Sequence, residues 1–133
     1  MVDYKDFLTS ASEMIEKGGS EIDLRNSMSR AYYGLYHLAL NYADAVSMPP
    51  VSAFKGPTHE KLSSFFEGNL SADKDLRLKM RGIGYSLKQY HRKRCKADYC
   101  LDELVSKIEA EAQLKNCFAK ADVLHELQKA YAA

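Results

Sequence analysis

Apolar residues in this chain return every third or fourth position, and nowhere every second, in segments separated by paired helix breakers: Gly18-Gly19, Pro49-Pro50, Gly56-Pro57 and Gly68-Asn69. A period near 3.6 lines such residues up on one stripe of an α-helix, whereas a half-buried strand needs a period of two. The pattern predicts an all-α chain, a four- to five-helix antiparallel up-and-down bundle. At 133 residues there is enough chain for one real core, so residues 1–133 are expected to form a single domain. Tyr4, Phe7, Leu8, Ala11, Met14 and Ile15 mark a first helix over 3–17. Ser20 is placed to cap a second, from about Glu21 to Val46, with Leu24, Met28, Ala31, Leu35, Leu38, Tyr42 and Val46 as its inner seam. Pro49-Pro50 ends it, because proline lacks the N–H and clashes with the preceding turn. Thr58 is expected to cap a short third helix carrying Leu62, Phe65 and Phe66. Ser71 restarts the chain into a fourth running to about Tyr99, with Gly82 and Gly84 as a point of bending or close packing. A fifth is expected from about Asp102 to Tyr131, with Leu104, Ile108, Ala112, Phe118, Leu124 and Leu127 on its apolar side.

With 46% apolar and 28% charged residues the chain has the profile of a folded helical protein rather than a disordered tail. No apolar stretch is long enough for a membrane span. Asp3, Lys5 and Asp6 occupy the place where a secretory leader would carry its apolar run. Three cysteines without a Cys-x-x-Cys spacing argue against a disulfide framework and for a cytoplasmic setting. His91, Cys95 and Cys100 fall short of a metal-ligand set, so neither metal nor cofactor is expected. His59 and His125 read as isolated surface histidines.

The net charge of +1 conceals a local excess of cations. Residues 76–97 hold Arg77, Lys79, Arg81, Lys88, Arg92, Lys93, Arg94 and Lys96 without one acid, while the chain before and after is net acidic. Such a run is either a solvated helix face or a phosphate-binding one. Two other stripes are more specific. On the second helix Asn26, Arg30, Tyr33, His37, Asn41 and Asp44 fall in one sector away from the inner seam. These planar hydrogen-bonding groups suit a second interface, against another helix or another subunit, or a ligand surface. On the fourth helix, Leu76, Met80, Ile83, Leu87 and Tyr90 define the apolar side, and the same phase carries Arg94 onto it with Asp98 one turn later. Either the two form a structural ion pair at the bundle end, or Asp98 holds the Arg94 guanidinium in a cleft for a phosphate.

The segment Ser29-Arg30-Ala31-Tyr32-Tyr33-Gly34-Leu35-Tyr36-His37, followed by Arg94-Cys95-Lys96-Ala97-Asp98-Tyr99, resembles the paired motifs of short standalone HEPN-superfamily proteins, Ser-Arg-x-Tyr-Tyr-x-x-Phe-His and Arg-x-x-Ala-Asp-Tyr. The resemblance extends over the helical outline of nearly the whole chain. It implies a bundle that forms a homodimer and acts on or binds RNA, as a metal-independent endoribonuclease of the toxin–antitoxin or antiviral-defence type. The alternative it implies is a non-catalytic module that binds a nucleotide or a nucleotidyltransferase-type partner protein. Active members carry histidine four to six residues after the late arginine, and here Tyr99 stands in the four-spacer slot. Arg30 and His37 have a six-residue spacing, but on the earlier helix. The implied site is composite: Arg94 engages phosphate, Asp98 holds it, His37 or Tyr99 handles a proton, and Arg30 lies on the same helix as His37. Arg92, Lys93 and Lys96, with Tyr33, would follow the nucleic-acid backbone. Metal-free RNA cleavage needs a group to activate the 2′-hydroxyl and a cation for the charged phosphorane, and histidine and arginine suit those roles.

Overall fold

A computed structural model describes all of residues 1–133, and it contains five α-helices and no strand. Helix α1 spans Tyr4–Glu13 and is capped by Asp3, whose carboxylate accepts from the Lys5 and Asp6 backbone N–H groups. Its last turn, Met14–Gly18, widens to a π-helix and stops at Gly19, which takes a left-handed φ of 79°. Helix α2 is Glu21–Val46, opened by a reciprocal capping box between Ser20 and Asp23. A single 3₁₀ turn at Val51–Ala53 leads to α3, Thr58–Glu67. Thr58 is the first helical residue of α3 rather than its cap. Helix α4 is Lys74–Tyr99, and Asp73, not Ser71, caps it. Helix α5 is Lys107–Ala132 behind a Ser106 cap, five residues later than the sequence pattern suggested.

Pairs of contacts give the helix directions. Ser27 Oγ donates to the Ala11 carbonyl, and a side chain at Gly34 would strike Leu8, so α1 and α2 run antiparallel. Arg25 meets the carbonyls of Lys96 and Ala97 while Tyr33 meets Arg94, so α2 and α4 are antiparallel too. Gln113 bonds the Met28 carbonyl and Tyr131 the Ala45 carbonyl, which makes α5 parallel to α2. The four longer elements thus run up, down, up, down, with α2 touching all the others. Helix α3 lies alongside α4, so tightly at Gly84 that an added Cβ would sit 2.7 Å from the Glu67 backbone nitrogen and 2.8 Å from the Ser63 carbonyl oxygen.

The expected inner seam of α2 is buried from Leu24 through Tyr42, with Val46 half-buried; its Ala31, Leu35, Leu38 and Tyr42 pack with Met80, Ile83, Leu87 and Tyr90 of α4 and Cys117, Ala121, Leu124 and Leu127 of α5. A smaller cluster of Ile15, Leu24, Met28, Ala97, Val105 and Ala110 closes the other end. The apolar side of α5 departs from the expectation. Its inner face is Ala110, Gln113, Cys117, Ala121, Leu124 and Leu127, whereas Ile108 and Phe118 are exposed. The cause is the irregular stretch between α4 and α5: Val105 turns inward there, leaving Leu101 and Leu104 outside and resetting the phase of the helix that follows. No helix is long and apolar enough to cross a membrane.

Candidate nucleic-acid surface and imidazole cleft

The fourth helix keeps its apolar side inward for four turns and then has to end beside α2. At that point Arg94 replaces an apolar residue. Its Nη1 donates to Asp98 Oδ2 at 3.1 Å, and the two side chains retain only 12% and 28% of their exposure. Ser29 of α2 donates to the same carboxylate oxygen at 3.3 Å. The guanidinium carbon lies 5.3 Å from the centre of the Tyr33 ring and 5.9 Å from that of Tyr99, so the cation is held between two aromatic faces. Tyr33 is half-buried, while Tyr99 is 74% exposed. Burial works against the Arg94 charge, but the bond to Asp98 and the neighbouring groups more than offset it and carry the pKa upward. Its Nε is buried and has no hydrogen-bond partner.

The other residues singled out on α2 stand apart from that arginine. Arg30 and His37 are both exposed and share Phe7 of α1: the Arg30 guanidinium carbon is 5.9 Å from that ring's centre, and the His37 ring is 5.0 Å from it. Partial desolvation of the His37 ring lowers its pKa from the ordinary value. The link to Arg94 is Tyr33, 6.3 Å from His37 on one side and in contact with the guanidinium on the other. The motif residues therefore form a strip across α1, α2 and α4 rather than one pocket.

Most cations of the basic segment are already engaged. Lys79 pairs with Asp75 and Glu126, Lys88 with Glu67, and Lys96 bonds both carboxylate oxygens of Glu109 on α5, at 3.2 and 3.3 Å. Arg77 and Arg81 donate to the Ser71 and Asn69 carbonyls, tying down the α3–α4 connection. Arg92 and Lys93, one and two residues before Arg94, have no protein partner. Of the three cations assigned to a nucleic-acid backbone, Arg92 and Lys93 are available as the chain stands, whereas Lys96 joins α4 to α5.

Sequence reasoning overlooked a second cluster. His59 of α3 and His91 of α4, 32 positions apart, stack with ring centres 4.2 Å apart and an interplanar angle of 26°. The Tyr32 hydroxyl and His59 Nδ1 are hydrogen-bonded at 2.6 Å, and Tyr33 and Tyr36 flank the same ring. His91 Nε2 lies 3.7 Å from Cys95 Sγ, and its Nδ1 is buried without a partner. Burial lowers both imidazole pKa values. The positive charge of His91 and Arg94 takes His59 further, to about 4, and Arg94 also depresses His91 while Glu60 opposes it. Burial raises the Tyr32 hydroxyl well above its usual range, so it remains protonated. His59 is thus not an isolated surface histidine. Neither is His125, which bonds the Tyr4 hydroxyl across the α1–α5 contact. The available signal was Gly84: a helix position that admits no side chain fixes the register of α3 on α4, and that register sets His59 against His91.

His91, Cys95 and Cys100 do not gather into a metal site, nor does any other group of three or more histidine, cysteine, aspartate or glutamate side chains. The cysteines are all free, and burial pushes the Cys117 thiol up to about 12. No protein-family model, curated protein or solved structure matches the chain.

Proposed function

We propose that this protein is a HEPN-type RNA-binding domain whose contact surface is the end of α4, with Arg94 meeting a phosphate and Tyr99 offering a stacking face to an unpaired base. The observation that carries the reading is the Arg94 arrangement. A guanidinium oriented by a carboxylate, held between two tyrosine rings and flanked by the unpaired Arg92 and Lys93, has the elements of single-stranded RNA recognition: a fixed cation, mobile cations and an aromatic platform. The paired motifs on α2 and α4 favour the same family, and Ser29 of the first motif bonds Asp98 of the second. A homodimer in the cytoplasm, serving RNA processing, toxin–antitoxin pairing or antiviral defence, belongs to this reading. The exposed Arg30, His37 and Asn41 on α2 are the face through which two copies would pair, and light scattering at micromolar concentration reads the mass directly.

Cleavage on this surface would be metal-independent. Arg94 would stabilise the phosphorane, and the imidazoles next to it are His59 and His91, with His37 lying beyond Tyr33. A non-catalytic module, binding a nucleotide or a nucleotidyltransferase-type partner, is favoured by Tyr99 standing where active members have histidine. The two readings separate on one experiment, in which labelled single-stranded RNA is incubated with the protein in excess chelator. Retarded but intact RNA gives the binding module, and cyclic-phosphate-ended fragments give the nuclease. Replacing Arg92 and Lys93 with glutamine should weaken binding and flatten its salt dependence by roughly two phosphate contacts. Replacing Lys96 should act mainly on the α4–α5 contact. Unchanged affinity and salt slope in the Arg92/Lys93 variant would rule out RNA as the ligand of this face.

A further inference from the structure

The space beside the stacked histidines is open. A cleft of about 250 Å³ lies between α3 and α4, walled by His59, Glu60 and Ser63 on one side and Lys88, His91 and Arg92 on the other. Tyr32 occupies His59 Nδ1, and His59 Nε2 is left without a protein partner. The charged groups facing the pair come from both helices: Glu60 from α3, and Lys88, Arg92 and Arg94 from α4, with Lys88 also held by Glu67 at 3.0 Å. From α2 the rings of Tyr32, Tyr33 and Tyr36 approach His59, and of these the Tyr32 hydroxyl is bonded to it. With Lys88 paired to Glu67 and Glu60 itself acidic, Arg92 is the cation left free at the rim, and two titratable rings form part of the wall. No carboxylate is hydrogen-bonded to either ring.

We propose that this cleft binds a phosphate group of a nucleic acid or nucleotide, and that the imidazole pair takes up one proton as the anion enters. Two rings stacked at 4.2 Å can share one positive charge, a cation lying over a neutral π face, but not two. Burial and the neighbouring Arg94 disfavour a charge on either ring. An oxyanion at His59 Nε2 supplies the missing counter-charge, so protonation and anion binding favour one another, and by linkage each strengthens the other equally. The bound phosphate then faces a ring N–H that can donate to it, with Arg92 and Lys88 on its open side. This inference deepens the RNA reading, because Tyr33 touches both the His59 ring, at 6.1 Å, and the Arg94 guanidinium. A strand lying across Arg94 would reach the cleft with a neighbouring phosphate.

Sulfate is the suitable first probe, because it carries the same oxyanion geometry and does not titrate near neutrality. Titrating it into the whole protein, with the histidine ring signals followed by NMR, should shift His59 and His91. The affinity should rise as pH falls from about 7 to about 5, by up to about tenfold per unit where one proton is linked to binding. Calorimetry in two buffers of different ionisation heat should count close to one proton taken up. His59→Gln keeps a hydrogen-bonding side chain but cannot charge, so its sulfate affinity should be weak and flat with pH. An affinity independent of pH, ring signals that do not move, or a His59→Gln protein that binds as the parent does would each overturn the proposal. If His59→Gln fails to fold, the proton count and ring shifts of the unmodified protein decide. Comparing a dinucleoside phosphate with a nucleoside 5′-monophosphate then distinguishes an internal RNA phosphate from a terminal one. Tyr99→Ala separates the two surfaces: it should weaken RNA binding and leave sulfate binding intact. RNA binding that survives alongside pH-independent sulfate binding would remove the cleft without removing the RNA surface.

Discussion

Arg25 tests how the end of α4 is held. It is 5% exposed, on the first turns of α2, and its guanidinium donates to the carbonyls of Ala97 at 2.9 Å, Cys100 at 3.2 Å and Lys96 at 3.5 Å, as well as to that of Glu103. The Lys96 and Cys100 carbonyls also accept backbone N–H bonds, from Cys100 and Glu103, whereas Ala97 and Glu103 have only the Arg25 guanidinium as donor. A fifth bond, to Glu21 Oε1 at 3.1 Å, closes an ion pair on a carboxylate that is 47% exposed. The informative replacement is Arg25→Met, which keeps the apolar stem and removes every donor. Glu21 can hydrate, so its loss counts for little, whereas each buried carbonyl left unpaired costs about 1–3 kcal/mol. Two such carbonyls put the expected loss at roughly 3 kcal/mol, the lower edge of the ~3–5 kcal/mol seen when a buried pair loses one partner. For a chain of this length that corresponds to a fall in Tm of about 10 °C. Arg25→Lys, which keeps the charge but cannot fork to three acceptors, should fall between the two. Urea unfolding followed by far-ultraviolet circular dichroism measures both. A loss below about 1 kcal/mol for Arg25→Met would show that water caps α4 as well as arginine does, and the argument from orphaned carbonyls would fail.

Arg94→Ala should cost only about 1–2 kcal/mol, since Asp98 keeps its Ser29 bond and is open enough to hydrate. RNA binding measured on the same sample should be lost, and a protein that is badly destabilised yet still binds RNA would assign Arg94 to structure alone. The His59 pKa lies below its ordinary 6.5, at about 4, so the unfolded chain binds more protons across that interval and stability should fall as pH drops from 6.5 toward 4. Thermal unfolding across that range reads it: His59→Gln should flatten the pH dependence, and an unaltered curve would place the acid-sensitive groups elsewhere.

Much of this architecture is legible in the sequence where local chemistry decides it. Ser20 with Asp23, and Pro49-Pro50 beyond Val46, mark both ends of α2 to the residue, because caps and breakers act within a turn of where they stand. The Arg94–Asp98 pair is legible for the same reason, since a four-residue spacing brings side chains together on any helix. The start of α5 is not, because Leu101 and Leu104 continue a helical period through a segment that turns outward, and only the burial of Val105 corrects the phase. His59 and His91 lie on different helices, and nothing in a helical period says how one helix slides along another. Arg25 escaped notice because its partners are backbone carbonyls 71–78 positions away, which carry no residue signature.

The contact at Gly84 has a consequence for the cleft two turns farther along α4. There α3 rests on α4 backbone to backbone, so the spacing of the two helices is set by a side chain that is missing. Alanine at that position would be obstructed by the Glu67 nitrogen and the Ser63 oxygen, atoms that cannot rotate aside, and relief has to come from lifting α3 as a rigid lever. His59, at the far end of that lever, would part from His91 while Arg94, Asp98 and Tyr99 kept their places at the end of α4. One methyl group, two turns along α4 from His91, is thus a dial on the distance between the two imidazoles.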